Sequence, residues 1–201
     1  MKTVTREYTL YSYTELSEKA KERVKEWYLE GQSYMDCIFT FDCIEYLKSL
    51  FPHSELDVEY SLNYCQGDGF NIFGKIYLDE LLEQIKDHFT EKELKFFRWA
   101  FDHYGSSYEM KANREYCYCI CHLNDFSENL LTYMEDDGIR NIQTDTLAKF
   151  SNLAGKFLKD LCKDFEENGY NFFYEISEED LTDLCEGSGW LCTADGKYFD
   201  E

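Results

Sequence analysis

Cys117, Cys119 and Cys121, followed at once by His122, are a cluster whose residue types can ligate a metal ion. Zinc sites usually pair their ligands with roughly two to four residues between them, often around a turn. Single-residue spacing along an extended segment sets the sulfurs in a row on one side, where thiols pack as small hydrophobes. His122 and distant cysteines keep the four as metal-ligand candidates, but the expected reading is packing, with no metal and no cofactor. Gly67-Asp68-Gly69 invites comparison with a phosphate loop. A dinucleotide fingerprint needs a third glycine sooner than Gly74 and must open a helix, and no Walker lysine follows. A hairpin turn, with Asp68 accepting from nearby amides, is predicted instead. The histidines His53, His88, His103 and His122 stand apart. No nucleophile elbow, zincin helix or deaminase pattern is present. No catalytic residue is assigned, and the protein is not expected to be an enzyme.

Two acidic runs remain, Glu135-Asp136-Asp137-Gly138 and Glu178-Glu179-Asp180. Neither has the alternating acids and closing glutamate of an EF-hand loop. They are solvated faces or a binding surface. Cys65-Gln66-Gly67-Asp68-Gly69-Phe70 and Cys185-Glu186-Gly187-Ser188-Gly189-Trp190 share the form Cys-x-Gly-x-Gly-aromatic. One follows a strand pattern and the other a helix pattern, so the echo reads as coincident turn chemistry.

The elements that must position these groups follow from periodicity. Residues 2–13 alternate and predict an opening strand. Leu16, Ala20, Val24 and Trp27 recur at helical spacing over 15–30, closed by Gly31. Lys19, Lys21, Arg23 and Lys25 lie outward, interleaved with Glu18, Glu22 and Glu26, as a salt-bridged face. A helix over 36–51 would turn Ile38, Phe41, Ile44 and Leu47 inward. Leu56, Val58, Tyr60, Leu62 and Tyr64 alternate with polar residues, and residues 70–78 return as the second strand of a hairpin. Helices over 79–89 and 91–104 follow, the second opened by a Thr90/Glu93 capping box. Residues 107–112 and 115–123 read as a strand pair, 126–134 as a helix, and 136–138 as a turn. Leu147, Phe150, Ala154, Phe157, Leu161 and Phe165 form one helical stripe over 145–165, which Gly169 should close. An extended piece (170–176), an acidic helix (177–186) and a hairpin over 190–199 turning at Asp195-Gly196 complete the chain. Strands and helices mix without strict alternation, which predicts an α+β fold with a mostly antiparallel sheet and several packed helices.

Composition sets the frame. With 201 residues, 44% hydrophobic and 18% aromatic, the chain can bury a core, and its single proline and few glycines leave no linker. One compact domain is expected over 1–201, with an acidic C-terminal segment from about 160. The opening Met1–Glu7 has no apolar signal core, and the nine cysteines are scattered. Reduced thiols in the cytoplasm of a bacterial host cell are the expectation. Net charge is −21, and residues 160–201 hold 13 acids against Lys163 and Lys197. That field repels nucleic acid and membrane surfaces and favours a basic partner; plain solubility is the rival account.

The stretch from Tyr60 to Phe70 (Tyr-Ser-Leu-Asn-Tyr-Cys-Gln-Gly-Asp-Gly-Phe) resembles a family of phage, prophage and bacterial proteins. Members open with a strand and a Tyr-x-Glu-Leu-Ser-Glu-x-Ala-Lys helix, matched from Tyr13 to Lys21. They end in a Phe-Thr-x-Asp-Gly-Lys hairpin, matched from Cys192 to Lys197 with cysteine in place of the aromatic. The resemblance implies a mobile-element origin and brings no established activity. In character such a protein is similar to inhibitors of bacterial defence nucleases, anti-CRISPR proteins among them. The expectation is therefore an acidic binder of a basic nucleic-acid-handling protein, using Glu178, Glu179, Asp180, Asp183, Glu186, Asp136 and Asp137. A generic phage adaptor and an enzyme with an unconventional site are the alternatives.

Overall fold

Ser17 turns an extended approach into the first helix, its hydroxyl oxygen accepting from the Ala20 amide. The computed structural model describes residues 7–31, 35–111, 124–139 and 144–199. Among them the order is α1 (Glu18–Glu30), α2 (Asp36–Leu50), β1 (Glu55–Ser61), β2 (Gly69–Tyr77), α3 (Leu78–Ile85), α4 (Glu91–Tyr104), β3 (Ser107–Met110), α5 (Asn124–Asp136), α6 (Thr144–Tyr174) and α7 (Glu178–Gly187). The sheet is antiparallel, in the order β1-β2-β3. This is the α+β class that the periodicity predicts. No helix among these residues is long and apolar enough to cross a membrane. The chain gathers into two compact units, Met1–Ile38 with Tyr170–Glu201, and Phe39–Gly169.

In the first unit, α1 and α7 close on Tyr13, Leu16, Ala20, Val24, Leu181, Cys185 and Cys192. The expected opening strand is not formed over the described residues 7–13; Tyr11 alone makes a bridge, to Cys192. Tyr13–Glu15 is instead a 3-10 turn held by a Ser12/Glu15 capping box. The C-terminal hairpin forms as predicted, Thr193 N–H donating to the Lys197 carbonyl and Phe199 N–H to that of Leu191. It turns at Gly196 (φ 81°), where a Cβ would stand 2.2 Å from the Ala20 carbonyl oxygen. Only glycine fits there.

In the second unit, Asp68 does what its place in the loop predicts. Its Oδ2 accepts from the amides of Asn63 (2.7 Å) and Cys65 (2.9 Å), closing the hairpin whose register runs from Glu55 opposite Lys75 to Ser61 opposite Gly69. The buried Glu80 accepts from the His53 amide (2.8 Å) and the Ser54 hydroxyl (2.6 Å), while Ser54 Oγ accepts from the Tyr77 amide. The Thr90/Glu93 box opens α4 as predicted. Phe97 and Phe101 of α4 then meet Phe150 of α6 at 5.1 and 5.5 Å.

Other expectations fail, and for α2 and α6 the reason is packing. On α2 the buried row is Phe39, Cys43 and Leu47, whereas Ile38 and Phe41 are exposed. The helix offers two apolar rows, and the one that meets Tyr60 and Phe70 through Phe39 is buried. Gly169 does not close α6, which continues through 170–174 as helix rather than as the extended piece. Gly169 is buried, and a Cβ there would lie 2.4 Å from Leu62 Cδ1 and 2.9 Å from Phe39 Cζ. It serves close approach rather than termination. Trp27, expected inward, is 39% exposed. The strand over 115–123, with Cys117, Cys119, Cys121 and His122, lies outside the described residues.

Gly169→Ala should lower the melting temperature by a few degrees. Overpacking against Leu62 and Phe39 costs about 1–3 kcal/mol, against a helix-propensity gain of about 1 kcal/mol. Gly187→Ala, with nothing within 4 Å of its Cβ, should be neutral or stabilising. Equal melting temperatures for the two variants would refute the close-approach account.

Glu93 is held below its ordinary value of 4.5, first by the Thr90 amide and hydroxyl and then by Lys149. A depressed carboxylate stabilises the fold above its unfolded value, and that contribution is lost as pH falls through the lower folded value. Denaturation midpoints should therefore separate wild type from Glu93→Gln at pH 7. The gap should narrow below about pH 4.5, the side on which the unfolded carboxyl binds its proton. A constant gap would remove the charge from the account.

Candidate functional site

The first turn of α7 explains three of the predicted acids. Ser177 Oγ accepts from the Asp180 amide (3.0 Å) and donates to Asp180 Oδ2 (2.6 Å), so Asp180 belongs to the helix cap. Glu178 and Glu179 share that turn, where the positive end of the helix dipole favours carboxylates. Glu178 also receives Lys21 Nζ at 3.0 Å, and Glu18 stands 3.3 Å from the same ammonium. These hydrogen bonds, Glu178 first, raise the Lys21 pKa. The buried Tyr13 hydroxyl is also pushed up, by burial first and then by Glu178.

The basic face of α1 is ion-paired only in part. Lys21 meets Glu18 within the helix, as expected, while Glu178 and Asp195 on other elements take Lys21 and Arg23. Among the described residues Lys19 and Lys25 make no ion pair. Arg23 Nη1 donates to the Asp195 carbonyl (3.1 Å) and approaches Asp195 Oδ2 (3.5 Å). Asp195 is itself held low, first by the Thr193 hydroxyl. Beside this, Trp27 stacks on Tyr198 (4.9 Å, 17°) and takes Trp190 edge-on (5.3 Å).

Asp183 and Glu186 differ from the first-turn acids. Both are exposed, and among the described residues neither makes an ion pair. Glu186 sits in the last turn of α7, which holds no basic residue, where the helix dipole disfavours a carboxylate. Asp136 belongs to the other unit, at the end of α5, in a last turn that also lacks a base. Asp137 follows it, and the Tyr104 pKa is raised, by burial first and then by Asp137. The seven predicted acids are thus carried by two different units.

Burial pushes the Cys43 thiol up to about 12 and Cys185 to about 11, so neither supplies a thiolate near neutral pH. Among the described residues no group of three His, Cys, Asp or Glu side chains is placed to hold a metal ion.

Sequence reasoning missed a cleft of about 330 Å³ in the second unit, lined by Tyr46, Leu161, Asp164, Phe165, Glu167 and Asn168. The available signal was the i, i+3, i+4, i+7 spacing of Leu161, Asp164, Phe165 and Asn168 on one side of a helix. Expecting Ile38 and Phe41 to point inward hid Tyr46 as its opposite wall. Compared with protein-family profiles, curated proteins and solved structures, the chain matches none.

Proposed function

We propose that this protein acts by binding a basic, nucleic-acid-handling protein, such as a CRISPR effector nuclease, with carboxylates standing where phosphates would. The observation that carries this reading is the pair Asp183 and Glu186. They are exposed, they are unpaired among the described residues, and the fold draws no use from them. Solubility needs net charge but is indifferent to position, so it gives no reason for acid at a helix end where the dipole opposes it. A cationic groove would be attracted by the side chains and by the helix C-terminus together. Trp27 and Tyr198, partly exposed on the same unit, are aromatic anchors of the kind that supply affinity beyond charge.

The test reverses the charges that have no structural task. Glu178 and Asp180 are unsuitable, because Lys21 and the Ser177 cap depend on them. Asp183→Lys with Glu186→Lys should leave stability within about 0.5 kcal/mol. As immobilised bait against bacterial lysate, that variant should retain about tenfold less nucleic-acid-binding protein than wild type, with the loss greatest at low salt. Added DNA should release what wild type retains. Equal retention by both baits, or retention that DNA leaves unchanged, would return the acidity to a solubility role.

A further inference from the structure

The cleft in the second unit combines an aromatic floor with an acidic rim. Its floor is apolar and fixed: Phe165 is buried, meets Phe70 at 5.0 Å, and Phe70 stacks on Tyr60 at 5.4 Å and 7°. Tyr46 packs edge-to-face on Phe165 (5.8 Å, 83°), with half its surface in solvent. The rim carries the exposed carboxylates Asp164 and Glu167 and the amide of Asn168, and no basic residue lines the space. Among the described residues neither carboxylate is ion-paired.

The geometry points to a receptor for one arginine side chain, supplied by the basic partner; in naming that contact the inference rests on the function proposed above. A guanidinium is planar, weakly hydrated and stacks on aromatic faces while its N–H groups fork toward carboxylates. Its aliphatic stem would lie along the half-exposed Tyr46 ring, as long cationic side chains do elsewhere. An ammonium has the charge without the plane, so it would use the acids and gain less from Tyr46. Anions are repelled by Asp164 and Glu167, and a neutral apolar group would gain nothing from either carboxylate.

N-acetyl-arginine amide, titrated into the full chain and followed by backbone amide NMR, tests this without any partner protein. Saturable shifts should centre on residues 161–168 and on Tyr46. N-acetyl-citrulline amide, equal in shape but uncharged, should bind at least about tenfold more weakly, and N-acetyl-lysine amide should also fall below arginine. Asp164→Asn with Glu167→Gln, and separately Tyr46→Leu, should each weaken arginine binding about tenfold with the thermal transition retained. Asp183→Lys with Glu186→Lys should leave it unchanged. The inference is overturned by absent saturation, by citrulline or lysine matching arginine, or by shifts spread evenly over the surface acids. In each of those cases the lysate capture by Asp183 and Glu186 is untouched, so the two readings fail separately.

Discussion

How near α6 comes to the β1–β2 hairpin is the constraint on which the second unit rests. At Gly169 there is no room for a Cβ between the helix and the side chains of Leu62 and Phe39. Phe39 is fixed in turn by Tyr60 and Phe70, at 5.4 and 6.3 Å, and Thr40 Oγ1 shares a hydrogen bond with the Tyr60 hydroxyl at 3.1 Å. Helix, hairpin and α2 therefore share one aromatic group, and a shift in any of them would be felt by the others in a close-packed interior. The same closeness sets Phe165, one turn earlier, against Phe70 and gives the cleft its floor. Bulk at Gly169 would act on the cleft without touching it.

The first unit is built from both ends of the described chain. Tyr11 and Tyr198 each bridge Cys192, and Gly196 lies against the Ala20 carbonyl. With Trp27 stacked on Tyr198, α1 is held by the hairpin along two turns of its length. The ion pairs of Lys21 and Arg23 add little energy, because exposed pairs contribute at most about 1 kcal/mol. Their effect is on charge: they neutralise acids near α1 and leave the far half of α7 uncompensated. Pairing thus sharpens the contrast between acids with a structural task and acids without one.

What the sequence revealed followed from short-range physics. The hairpin was legible because strict alternation ends at a loop whose Asp68 can satisfy its own amides. The start of α4 was legible because a capping box is a local hydrogen-bond pattern. The α6 stripe was legible because an amphipathic period persists for several turns, although Leu158 rather than Phe157 completes the buried row. The failures all turned on what lies across the gap. Gly169 reads as a stop until Leu62 and Phe39 are placed beside it, and α2 offers two apolar rows with nothing local to choose between them. The acids of α7 were visible as a run, but their division into capping and free groups needed Lys21 and Ser177 in place.

The acidic surface and the aromatic cleft would answer to salt in different ways. Attraction between exposed charges is screened over about 8 Å at physiological ionic strength, so carboxylates such as Asp183 and Glu186 would act chiefly on the rate of encounter with a partner. A guanidinium seated on Tyr46 would be partly desolvated, and stacking of that kind survives salt that removes the long-range field. Encounter and retention would thus rest on different residues. A chain with a net charge of −21 attracts many cationic surfaces without discrimination. Selection among them would have to come from a contact that is short-ranged and demanding in shape, and the cleft between Tyr46 and α6 has that character.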